Sequence, residues 1–111
     1  MSRILPSYLN TLRMQRGLSQ PELAELMGIG ASLLSKVESL ERRPTTKVIL
    51  AAEIVFGMPA REIFPGAYKD LEQGVIKRAR ALRTQFRDRS DPAAVEKLRL
   101  IDQIMERSVQ S

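Results

Sequence analysis

The chain contains neither cysteine nor histidine. Thiolate chemistry is therefore excluded, and the commonest general base and commonest metal ligand are missing. What remains is a set of hydroxyl, ammonium and guanidinium groups whose spacing is informative. Between Ala31 and Ser39, Leu34 and Val37 fall three apart and face inward, while Ala31, Ser32, Ser35 and Lys36 share the outward face of the same helical stretch. A serine hydroxyl both donates and accepts, and a lysine ammonium donates to a phosphate or to guanine O6 and N7. Such a face can hydrogen-bond and neutralise charge. The carboxylates fall at predicted caps, ion-pair positions or solvent faces, and there is no glycine-rich phosphate loop. No catalytic residue, metal or cofactor is therefore expected.

The elements that must position this face are short helices. From Gln20 to Ser39, Leu23, Met27, Ile29, Leu34 and Val37 occupy apolar slots around Ala24 and Gly28. A small residue at position 24 lets a second helix approach closely, and Gly28 can take the positive φ of a sharp corner without a Cβ penalty. That is a helix-turn-helix pattern, and it points to DNA. Ser19 and Glu22 form a capping box for the helix that ends at Met27, with Pro21 tolerated in its first turn. Before it, a helix is expected over about 6–16, with Leu5, Leu9 and Leu12 on one face and Gly17 closing it. After it, Thr45 or Thr46 caps a fourth helix that reaches Phe56 and stops at Gly57. A short fifth helix covers 59–64.

Pro65-Gly66 is the expected boundary between a domain over 1–65 and an extension over 66–111. In the extension, Tyr68, Leu71, Val75, Ala79, Leu82 and Phe86 recur at helical steps. Asp91-Pro92 opens a last helix with Val95, Leu98, Ile101 and Met105 on one face. No strand is predicted, so the fold class is all-α.

At 111 residues and a formal charge of +5, the chain suits one small domain plus a helical piece, with an anionic partner. No apolar run approaches a membrane span, and the N-terminal residues show no signal-peptide core, so the expected compartment is the cytoplasm and no membrane partner is expected.

Residues from about Tyr8 to Phe64 resemble the Cro/phage-repressor type of helix-turn-helix domain, the XRE family. The resemblance is carried by L-R-M-Q-R-G-L-S-Q-P-E-L-A-E-L-M-G-I, then S-L-L-S-K-V-E, R-R-P and F-G-M-P-A-R-E-I-F. It implies a five-helix, lambda-repressor-like domain whose third helix enters the major groove. It further implies a phosphate contact for Gln20 and DNA contacts for Ala31, Ser32, Ser35 and Lys36. Arg42 and Arg43 are placed along the backbone, and Arg13 is paired with Glu38 as a structural ion pair, with a phosphate as a further contact of Arg13. The chain also departs from the family. The third helix carries no Arg, Asn or Gln, Leu33 replaces a usual polar residue, and Leu40 and Glu41 replace a usual Gly and Lys. Direct readout is therefore expected to be limited, with groove shape contributing to selectivity.

On the fourth helix, Val48, Ala51 and Ile54 form an extra apolar stripe beside an ordinary core face of Ile49, Ala52, Val55 and Phe56. The stripe of Leu71, Val75, Leu82 and Phe86 is expected to pack on it, in the same chain or across a homodimer. The segment 66–111 carries ten basic and seven acidic residues. Lys77, Arg78, Arg80, Arg83, Arg87 and Arg89 read as a solvated helix face or as a second DNA-backbone surface. The leading function is a sequence-selective, DNA-binding transcriptional repressor acting as a homodimer on double-stranded DNA. Two alternatives stay open: an antitoxin whose C-terminal helices bind a toxin, and an interaction module that has lost DNA binding.

Overall fold

Caps and left-handed corners set the ends of the helices. The computed structural model describes residues 6–110, and among them seven helices and no strand are found. They run α1 Leu9–Gln15, α2 Gln20–Met27, α3 Ala31–Glu38, α4 Thr46–Phe56, α5 Ala60–Ile63, α6 Pro65–Phe86 and α7 Pro92–Gln110. Helix α1 ends at Gly17 with φ +69°, where the Gly17 amide donates to Met14 O and the Leu18 amide to Arg13 O. Gly28, at φ +70°, ends α2 in the same way, with amides donating to Glu25 O and Ala24 O. Leu40 closes α3 with the same pair of bonds, to Val37 O and from Glu41 N to Lys36 O, but at φ +64°. A leucine in this left-handed region costs about 1–2 kcal/mol that glycine would avoid. Ser19 caps α2 through both bonds of its capping box, and Thr45 Oγ1 accepts from Val48 N at the start of α4.

Helix α1 begins three residues later than its sequence suggested. The Tyr8 amide is spent on Ile63 O at 2.8 Å, which ties the start of α1 to the end of α5, and Tyr8 offers no side-chain cap. Leu5, expected on the inner face of α1, lies outside the described residues.

The chain forms two compact units, one through Lys69 and one from Asp70. Pro65 and Gly66, the expected boundary, form the first turn of α6, and Ala67 packs against the first unit's core. That core joins Leu9, Leu23, Ala24, Met27, Leu34, Val37, Val48, Ala52, Phe56, Ile63 and Phe64. Each fully buried leucine, isoleucine or valine contributes about 1.5–3 kcal/mol relative to exposure.

Helix α4 corrects one reading of the sequence. Val48 is fully buried and belongs to the core with Ala52 and Phe56, while Ala51, Ile49 and Val55 are half-buried against it. Ile54 is 81% exposed, and Leu50, four residues before it, is exposed as well. The cap at Thr45 sets the phase, and steps of four from Val48 put residues 50 and 54 on the far side. The uncovered apolar residues of α4 are therefore Leu50 and Ile54, not a stripe beginning at Val48.

The second unit is a pair of helices joined at residues 87–91. Arg89 donates twice to Asp91 at 3.0 Å, Asp91 Oδ2 accepts from Ala94 N to cap α7, and Arg89 and Lys97 lie over the Phe86 ring at 5.3 and 4.7 Å. Arg83 and Asp102 bridge α6 and α7 at 3.3 Å. Among the described residues of this unit, Ala79, Ala94 and Ile101 are buried. Leu71, Val75, Leu82, Val95 and Leu100 stay exposed, and Phe86 is half-buried. Among the described residues no helix is long and apolar enough to cross a membrane.

Candidate nucleic-acid interface

The interface is built by α2, the corner at Gly28 and α3. Ala24 is buried where the two helices meet, among Leu23, Leu34 and Val37, with Ile29 half-buried in the corner. A Cβ on Gly28 would meet only the Lys47 side chain at 3.8 Å, an ordinary contact. Glycine is required there for its positive φ and not for space.

With Leu34 and Val37 inward, α3 turns Ala31, Ser32 and Lys36 to solvent, and Ser35 is half-buried. Leu33 does not join that face; it is half-buried against the core. The loop after α3 is held by the Glu41 and Arg42 amides, both donating to Lys36 O, and it leaves Arg42 and Arg43 exposed. Glu41 accepts a 2.7 Å hydrogen bond from Ser39 Oγ, so its carboxylate is anchored to the loop. The exposed face therefore carries hydroxyls, one ammonium and the Arg42 guanidinium. It can grip phosphates firmly and read bases weakly.

One carboxylate holds this assembly in register. Glu38, the last residue of α3, has a side chain only 2% exposed and pairs with Arg13 of α1 at 2.7 Å. Its Oε1 also accepts from Arg13, from Asn10 Nδ2 at 3.0 Å and from Gln20 Nε2 at 2.9 Å. The remaining Arg13 nitrogen donates to Leu18 O at 2.8 Å. Three helices thus converge on one buried anion, and all three Arg13 side-chain nitrogens donate within the domain. Burial pushes the Glu38 carboxyl up. The hydrogen bonds from Arg13, Gln20 and Asn10 and the Arg13 charge outweigh burial and hold it below the ordinary glutamate value.

Gln20 is placed differently from a simple phosphate grip. A carboxylate only accepts, so its bond from Gln20 fixes which end of the carboxamide is nitrogen. One N–H is committed to Glu38, and the second has no acceptor among the described residues. Asn10 and the Gln20–Glu38 link were missed in the sequence. The one available signal was that Asn10 and Arg13 share a helix face at a spacing of three.

A family model described as helix-turn-helix matches residues 9–63. Residues 9–63 are a helix-turn-helix domain of the Cro/phage-repressor, or XRE, type. The match runs from the first residue of α1 to the last of α5, so the family accounts for the five short helices and not for α6 and α7. The domain is that of a DNA-binding regulator. No curated protein and no solved structure matches the chain.

Proposed function

We propose that this chain is a sequence-selective transcriptional repressor that binds double-stranded DNA as a homodimer. Helix α3 lies in the major groove, with α2 across the backbone. The observation that carries the reading is the outward face of α3, where Ala31, Ser32 and Lys36 are exposed at the end of a rigid corner. Lys36 contacts a base edge or a phosphate, and Ser32 and Ser35 supply low-specificity hydrogen bonds. Ala31 packs on a thymine methyl. Arg42 and Arg43 follow the backbone, and the second N–H of Gln20 faces a phosphate at the start of α2.

The exposed Leu71, Val75 and Leu82 of α6, with Val95 and Leu100 of α7, support dimerisation through the second unit. A two-helix unit that buries so little apolar surface gains by covering the remainder. The expected operator has two-fold symmetry, with half-sites about 34–36 Å apart.

Selection of bound fragments from a random DNA pool tests the reading directly. Recovery of a symmetric site, with binding that weakens steeply between about 50 and 200 mM salt, is the expected result. Failure to enrich any sequence, with no gel shift at low salt, would remove it.

A further inference from the structure

We propose that the outward face of α6, carrying Lys77 and Arg80 and continuing to Arg87, is a second surface for DNA phosphates, outside the family-matched domain. It rests on DNA binding by the helix-turn-helix domain.

The cations from residue 70 onward divide into two groups. Arg83, Arg89 and Arg99 form ion pairs with Asp102, Asp91 and Glu96. Arg107 donates to Gln103 O and Lys97 lies over the Phe86 ring. Arg78 is exposed and makes no such contact, but it lies on the side of α6 that carries Leu71 and Val75, with its guanidinium near Gly74. The side chains of Lys77, Arg80 and Arg87 make no hydrogen bond, ion pair or ring contact among the described residues, and all three residues are exposed.

Lys77 and Arg80 share one face of α6, and Arg87 immediately follows the helix. Gln73, Lys77, Arg80 and Thr84 follow each other at steps of three and four, on the side of the helix away from Leu71, Val75, Ala79 and Leu82, and Arg87 comes three residues later. Any packing of the apolar stripe therefore leaves this face open. From Gln73 to Arg87 the chain has no carboxylate. Like charges this close repel one another at a small cost in helix stability, and an anionic partner relieves it.

The partner fits a phosphodiester backbone. Lys77 to the end of α6 at Phe86 spans about 13 Å of helix, with Arg87 next in the chain, and duplex DNA presents a charge every 1.7 Å or so of its axis. The need is also visible at α3. A readout face of one alanine, two serines and one lysine draws little affinity from base edges, so backbone contacts must supply most of it.

The test is the salt dependence of DNA binding by the full chain. The variant Lys77→Gln/Arg80→Gln/Arg87→Gln removes the charges while keeping good helix formers, and thermal melting checks that it folds. Binding is titrated between about 50 and 200 mM salt on a duplex extending a full turn beyond the selected operator on each side. Each lost phosphate contact lowers the slope of log K against log salt by about 0.9, so a drop of about 2.7 per engaged protomer is expected. The control Lys36→Ala/Arg42→Ala lowers affinity through the helix-turn-helix face. A steep wild-type slope that the triple variant leaves unchanged assigns the α6 face to solvent or to an acidic protein. That overturns the inference and leaves the helix-turn-helix reading intact. A wild type without salt-dependent binding to any duplex removes both.

Discussion

The two units solve the same problem, burying the apolar side of short helices, with different success. Through Lys69, five helices close around eleven buried residues, and α1, α2 and α3 each end in a left-handed corner with its amides paired. From Asp70 onward, two long helices bury Ala79, Ala94 and Ile101 and leave five larger apolar residues of α6 and α7 exposed. The difference teaches that helix length is not what stabilises this protein. Helices α6 and α7 are the longest in the chain, yet a pair of helices has only one seam, whereas five short ones enclose a volume.

The contrast predicts unequal costs for equal truncations. Leu34→Ala is expected to cost about 3–5 kcal/mol, because the surrounding helices cannot collapse on the cavity. Ile101→Ala should fall near 2 kcal/mol, the low end for such changes, because a two-helix seam relaxes more easily. Denaturant melts of both variants check this. Equal losses would abolish the distinction between the units.

The buried carboxylate is the next largest effect. Glu38→Gln keeps the shape but loses the charge that Arg13 requires, at about 2–3 kcal/mol. The same group predicts an acid dependence. Its folded pKa is depressed, so its stabilisation is complete above the ordinary glutamate value of about 4.3 and is lost as pH falls through the lower folded value. Melting temperature measured against pH should drop in that window for the wild type, and less for Glu38→Gln.

A smaller effect separates a naked second unit from one covered by a second copy. In a monomer, Leu71→Ser and Leu82→Ser are exposed substitutions that change stability by about 0.5 kcal/mol or less. In a homodimer they weaken association, so sedimentation at several concentrations should show dissociation at low micromolar protein. The smallest expected change is a gain. Gly74→Ala places a Cβ 3.2 Å from the flexible end of Arg78, which can move, and it should stabilise α6 by about 0.5–1 kcal/mol.

Much of the first unit was legible because its signals are local. Ser19 with Glu22, Thr45, Gly17, Gly28 and Gly57 act within one turn of their own positions, so cap and corner chemistry read directly from spacing. Helix phase was legible only where one face is plainly apolar. On α4, where Val48, Ile49, Leu50, Ala51, Ala52, Ile54 and Val55 are all apolar, periodicity alone does not select a face, and the reading placed Val48 outside the core. The start of α1 was missed for a different reason. The bond from Tyr8 to Ile63 joins residues fifty-five apart in the chain, and no local pattern announces it.

By itself the sequence determined the helical class, the sharp corner at Gly28 and the hydroxyl-and-lysine character of the α3 face, because these follow from side-chain type and from spacing within a turn. Only the tertiary structure decided that Glu38 gathers Asn10, Arg13 and Gln20 from two other helices, and that Leu33 turns inward. It also decided that the side chains of Lys77, Arg80 and Arg87 have no partner among the described residues, while Arg83, Arg89 and Arg99 are held in ion pairs. Those outcomes depend on which groups meet across the fold, and a buried carboxylate or an unpaired cation is defined by its neighbours in space rather than in sequence.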